Sequence, residues 1–200
     1  IGAISSPMFS PDGKWIAYIG REDGNTEVYI MPSIGGLSER LTYDGAFISK
    51  IASWDGNNKI IYTSDFKQPF GRISDLRSIS INGGSSKALN YGICSNISKS
   101  DKMTVIGRNT QDPARWKRYK GGTAGELWID IKKDFNFKKL IHINGNMACP
   151  MIVDSKIYFI SDHEGIGNLY SCDNKGNNLK QHTSHKNYYA RNASTDGKKI

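Results

Sequence analysis

Apolar and polar positions alternate along most of this chain in short runs, and Asp, Gly, Asn and Ser break the runs every few residues. Glu27-Val28-Tyr29-Ile30 and Glu126-Leu127-Trp128-Ile129 carry the period of two that places successive side chains on opposite faces of a strand. Five segments repeat one pattern of strand, tight polar turn and strand: ISSPMFSPDGKWIAYIG, ISKIASWDGNNKIIYTSD, CSNISKSDKMTVIGRN, CPMIVDSKIYFISD and YARNASTDGKKI. Their turns fall at Asp12-Gly13, Asp55-Gly56, Ser100-Asp101, Asp154-Ser155 and Asp196-Gly197, pairs that accept the positive φ of a hairpin turn. After each of the first four hairpins come two more strands. The third strands are TEVYIMPSIGG, DLRSISINGG, GELWIDIKKD and GNLYSCDNKG; the fourth are SERLTYDG, SKALNYG, FKKLIHING and LKQHTSHKN.

Successive turns lie 43, 46, 53 and 42 residues apart. Four strands per repeat of about 40–50 residues is the pattern of a β-propeller blade. The chain is thus predicted to be all-β, with blades over 1–45, 46–92, 93–145 and 146–187 and the start of a fifth over 188–200. A closed ring of six or seven such blades takes roughly 260–320 residues, so residues 1–200 are expected to be a partial segment of one propeller in a longer protein. The long third interval holds an insertion between the second and third strands of blade three. It lies within VIGRNTQDPARWKRYKGGTAGELWIDI, where Arg115, Trp116, Lys117, Arg118, Tyr119 and Lys120 are consecutive.

Composition sharpens this picture only slightly. With 38% hydrophobic residues, 21 Gly and 6 Pro, the 200 residues suit a turn-rich globule with a sizeable core. No apolar run reaches the ~18 residues of a membrane-spanning helix, and no basic-then-apolar leader is visible. Twenty-seven Lys and Arg against 19 Asp and Glu give a formal charge of +8, which favours anionic partners without saying which. Cys94, Cys149 and Cys172 are odd in number and widely spaced, a pattern suited to a reducing cytoplasm rather than to a disulfide framework.

Candidate chemistry is sparse. Aromatics among cations, as in 115–120, can stack bases and hold phosphates, but a charged, solvated rim loop is the expectation here, and no nucleic-acid partner is predicted. YKGGT lacks the spacing and the following helix of a phosphate loop. Asp162-His163-Glu164 sits at the same hairpin position as GREDG in blade one and TSDFK in blade two, and is expected to be a solvated turn. His182 and His185 are three apart; on a strand they point to opposite faces and do not chelate. No metal, cofactor or GxSxG elbow is predicted, and the four histidines fit no Ser-His-Asp set. Cys94 and Cys149, at the starts of first strands, read as small buried residues.

The insertion, with its Arg108-Asn109, Trp116-Lys117, Tyr119 and Gly121-Gly122-Thr123 pattern, closely resembles that of the tricorn core proteases. FSPDGKWIA, ERLTYDG, IIYTSDFKQPFGR and the stretch from IYFISDHEG to TDGKKI fit the same family in one register from Ile1 to Ile200. The resemblance implies a segment of the N-terminal six-bladed propeller of a large cytoplasmic serine peptidase. Such enzymes assemble as homohexamers and shorten oligopeptides released by the proteasome. Catalytic Ser and His in that family belong to a later region and match no position here, so no catalytic residue is carried over. The family's adjacent arginines that hold a substrate carboxylate are missing from DGAFISKIASWDGNNKIIYTSDFK, where Lys50 is the nearest first-strand cation.

First strands line a propeller's channel, so Lys50 and Arg191 are the candidate substrate-channel residues of a peptide filter. Residues 115–120 are candidates for packing on a neighbouring domain or subunit. Two other readings stay open: an interaction propeller of the WD-repeat or Tol-system kind, and the gating propeller of a prolyl-oligopeptidase-type enzyme.

Overall fold

The computed structural model describes all residues except Ile1, Gly2, Asp23, Arg72, Gln111 and Pro113. Asp23 of GREDG, Arg72 of QPFGR, and Gln111 and Pro113 of the basic insertion therefore lie outside the described residues. The chain forms two compact units, Ile1–Ile93 and Cys94–Ile200, each built from two four-stranded antiparallel sheets.

In the first unit, β1 (Ser5–Phe9), β2 (Trp15–Gly20), β3 (Glu27–Pro32) and β4 (Glu39–Arg40) form one meander. The strands β5 (Ile48–Asp55), β6 (Lys59–Ser64), β7 (Asp75–Ser80) and β8 (Lys87–Ala88) form the next. Asp12-Gly13 and Asp55-Gly56 turn as expected, with Gly13 at φ 70 and Gly56 at φ 62. Alternation then sorts the side chains. Ala17, Ile19, Val28 and Ile30 face Ile48, Ile51, Trp54, Ile60 and Tyr62 in one core between the two sheets. On the other face, Tyr18 stacks on its cross-strand partner Tyr29 with ring centroids 5.5 Å apart. Each buried Ile of such a core contributes roughly 1.5–3 kcal/mol.

The second unit repeats the plan with β9 (Asn96–Lys99), β10 (Thr104–Arg108), β11 (Glu126–Asp130) and β12 (Lys138–Lys139). These are followed by β13 (Met147–Val153), β14 (Lys156–Ser161), β15 (Asn168–Cys172) and β16 (Lys180–Gln181). Val105, Leu127, Ile129, Met147, Ile157, Phe159 and Tyr170 fill its core.

Beyond the two ladder pairs of each fourth strand, one bond recurs in every blade. The amides of Leu41, Leu89, Leu140 and His182 donate to the carbonyls of Val28, Leu76, Leu127 and Leu169 at 2.8–2.9 Å. First strands are less regular. A β-bulge falls at Ser6-Pro7 in β1 and at Cys149-Pro150 in β13, where Ser6 (φ 54) and Cys149 (φ 52) are left-handed. Proline has no N–H for the ladder, so a bulge is where a strand tolerates it. Strand β5 is irregular on both sides of Lys50 and Ile51.

The fifth repeat forms its turn but no strand. Asp196 Oδ1 accepts the amides of Lys198 and Lys199, and Gly197 lies at φ 88, yet residues 182–200 hold no ladder.

Candidate functional site

The described residues of the insertion between β10 and β11 are held by a buried anchor. Its backbone folds in short turns: Arg115 N donates to Asp112 O, Tyr119 N to Trp116 O and Ala124 N to Gly121 O. Trp116 and Tyr119 tilt together at 5.2 Å, and Thr123 Oγ1 donates to the Tyr119 hydroxyl at 3.2 Å. Close approach requires glycine at 125, where a Cβ would sit 2.1 Å from the Met147 carbonyl oxygen.

The anchor is Asp162, immediately after β14. It is 1% exposed. Its Oδ2 accepts the Arg118 amide at 2.7 Å, and its Oδ1 accepts the Asn146 amide at 2.8 Å. Asn146 in turn donates through Nδ2 to the Trp116 carbonyl at 2.9 Å and accepts the Gly125 amide on Oδ1. A buried carboxylate thus gathers donors from the insertion and from the start of the next blade, the arrangement that lets a charge stay buried. This corrects the solvated-turn expectation for Asp162. The signal missing from sequence was the partner, which lies 44 residues upstream.

The neighbours of Asp162 are occupied as well. Tyr170 donates to Glu164 Oε2 at 2.8 Å. His163 contacts Ser161 Oγ through Nδ1 at 3.0 Å and tilts onto Tyr170 at 4.6 Å. Burial holds its imidazole below the usual histidine range, with Glu164 and Asp162 opposing. Ser161–His163 is no hydrolytic pair: Ser161 is fully buried, and the Asp162 carboxylate is spent on backbone amides rather than on the imidazole. His182 bonds Ser171 Oγ at 2.8 Å, and His185 packs on Tyr188 at 4.4 Å. Among the described residues no group of three or more His, Cys, Asp or Glu is arranged to hold a metal. Cys94, Cys149 and Cys172 form no disulfide; Cys94 and Cys172 are buried and Cys149 half-buried. Burial pushes the Cys172 thiol up to about 12, with Asp173 adding to the effect.

The candidate cations differ in their surroundings. Lys50 is half-buried on β5, opposite Thr63, between the two irregularities of that strand. Arg191 forms an ion pair with Asp112 at the base of the insertion, so a carboxylate already matches its charge. Lys117 lies over the Tyr189 ring at 5.3 Å. Arg115, Trp116, Lys117, Arg118 and Lys120 are exposed, and Tyr119 is half-buried. The insertion therefore packs, through its backbone and through Asp112 and Lys117, on blade four and on residues 189–191 of its own unit. Among the described residues no helix is long and apolar enough to cross a membrane.

The chain matches the model of the tricorn protease N-terminal beta propeller domain over residues 1–200. It is 41% identical to a tricorn protease homolog of Saccharolobus solfataricus over 206 residues, covering 100% of this chain and 19% of the relative. It superposes on the crystal structure of the tricorn protease with a TM-score of 0.89 and 33% identity, covering 98% of this chain and 20% of that one. TolB from Acinetobacter baumannii aligns with a TM-score of 0.66 at 14% identity over 90% of this chain and 43% of that one, a likeness of fold alone. The chain spans about a fifth of the length of the tricorn relatives. Four meander blades, the aromatic and basic insertion, and agreement with one family from the first residue to the last together establish that the chain belongs to the tricorn protease N-terminal β-propeller family.

Proposed function

We propose that this chain is the non-catalytic propeller segment of a tricorn-like serine peptidase that degrades oligopeptides downstream of the proteasome. In this reading the propeller filters or guides peptides toward catalytic domains that follow in the same polypeptide. The parent works in the cytoplasm as a homohexamer. Whole-length membership in the tricorn propeller family carries the reading. The buried Ser161 and the committed Asp162 carboxylate beside His163 support a segment without its own hydrolytic relay.

Lys50 is the residue we assign to the channel, since first strands lie nearest a propeller's axis and its β-bulges re-aim side chains there. A cationic lining raises the local concentration of peptide carboxylates. Arg191 contributes less, because Asp112 balances it. In the full-length protein, Lys50→Ala is expected to slow cleavage of long peptides more than of short ones. Unchanged cleavage of both would remove the filter role.

A further inference from the structure

Two Asn-Gly pairs occur in this chain, Asn82-Gly83 and Asn144-Gly145. Glycine has no Cβ to shield its amide nitrogen, so in such a pair the backbone itself can attack the asparagine side chain. The surroundings separate the two pairs. Gly83 lies at φ 76 in the β7–β8 turn, and its amide donates to the Ser80 carbonyl at 3.0 Å. That bond has to break before the nitrogen reacts. Among the described residues, by contrast, the Gly145 amide donates to no acceptor and no hydrogen bond holds the Asn144 side chain.

Asn144 is also reachable by water. It is exposed, and it lines an open cleft of about 370 Å³ with Lys120, Glu126, Lys139 and His142. Lys139 Nζ donates to Glu126 at 2.6 Å, and among the described residues Lys120 is in no ion pair. The lining is therefore cationic on balance, which favours the anion formed as the Gly145 amide gives up its proton.

We propose that Asn144 is a site of spontaneous deamidation whose isoaspartate product loosens the β10–β11 insertion. The Gly145 nitrogen bonds to Asn144 Cγ, the Cγ–Nδ2 bond breaks, and ammonia leaves with the Gly145 amide proton. Water then opens the succinimide. Attack at Cγ gives aspartate. Attack at the main-chain carbonyl carbon gives isoaspartate, in which the chain runs through Cγ and is one atom longer. The extra atom falls where the chain has little room, since a Cβ on Gly145 would already sit 2.6 Å from the His163 Cα. The next residue holds the insertion: Asn146 donates through its amide to Asp162 Oδ1 at 2.8 Å and through Nδ2 to the Trp116 carbonyl at 2.9 Å. Lengthening the backbone two residues before it displaces both bonds, whereas aspartate at 144 keeps the backbone length and leaves them in place.

The test ages the full-length protein at pH 8 and follows both pairs by peptide mass mapping. Endoproteinase Asp-N, which cuts before aspartate and not before isoaspartate, separates the products. Asn144 is expected to react about two- to tenfold faster than Asn82, the factor set by the turn hydrogen bond on Gly83. Hydrogen-exchange protection at 118 and 146 should fall in proportion to the isoaspartate formed. Asn144→Gln, whose larger ring closes far more slowly, should keep its protection on ageing, and Asn144→Asp should show full protection before ageing. No reaction at Asn144, or reaction at Asn82 that is as fast, would overturn the assignment of the site. Unchanged protection in protein that carries isoaspartate, or an equal loss in aged Asn144→Gln, would overturn the link to the insertion.

Discussion

The Arg118 amide donates to Asp162 Oδ2 at 2.7 Å across 44 residues of sequence, and Asp162 is nearly inaccessible to solvent. The insertion of one blade is thereby held by the residue that follows the second strand of the next. Asp162→Ala would leave the Arg118 and Asn146 amides without their acceptor, at a cost of about 2–4 kcal/mol. Asp162→Asn keeps one acceptor oxygen and should cost about half that. Chemical denaturation checks the magnitude. Hydrogen exchange should show loss of protection at 118 and 146 in Asp162→Ala and not in Arg115→Ser.

A second buried carboxylate does related work in the first blade. Glu27 is fully buried at the start of β3 and accepts from Arg40 Nη2 at 2.9 Å, Thr42 Oγ1 at 2.5 Å and the Gly45 amide at 3.2 Å. The same place in β15 is filled by Asn168, which accepts from Thr183 Oγ1 and the His185 amide. Glu27→Ala should destabilise by about 3–5 kcal/mol, since it strands a partly buried guanidinium. Double substitution of Glu27 and Arg40 by Gln and Met should cost less than Glu27→Ala alone, measured by thermal unfolding. Equal costs would show that Arg40 does not depend on Glu27.

His163 makes stability depend on pH. Burial lowers its folded-state pKa, so protonation is harder in the folded chain than in the unfolded one. Its contribution is full above the ordinary histidine value of about 6.5 and is lost as pH falls below that value. His163→Phe retains the ring against Tyr170 and should flatten the decline in melting temperature on the acid side of pH 6.5. The remaining slope belongs in part to His182, whose imidazole is lowered by desolvation and then by Lys180 and Lys156.

Thiol chemistry should separate the cysteines. Cys172 is buried with its pKa raised to about 12, and Cys94 is also buried. At pH 8, iodoacetamide should label Cys149 first in the folded protein, with Cys94 and Cys172 reacting only on denaturation. Mass mapping of the alkylated peptides checks the order, and early labelling of Cys172 would contradict its burial.

Much of the architecture was legible because its signals are local. Asp12-Gly13 and Asp55-Gly56 announce their hairpins within two residues, and the alternation in β3 and β11 assigns faces within four. The bulges were half-legible: a proline at position 7 or 150 has no N–H to give a ladder, although sequence does not show the left-handed Ser6 and Cys149 beside them. The anchor of the insertion was not legible. Asp162 stands among His, Glu and Gly in a stretch that looks like any solvated turn, and burial of its charge depends on donors from 118 and 146. The same distance effect hid the pairing of Arg191 with Asp112, 79 residues away.

The clamp on Asp162 also constrains how such chains change over generations. Shortening the insertion to an ordinary hairpin would leave a carboxylate sealed in the interior with part of its donor set gone. Replacing the carboxylate first would strand the Arg118 and Asn146 amides and loosen a strongly cationic loop. Each single step passes through a less stable intermediate, so the loop and its aspartate form one heritable unit, to be gained or lost together.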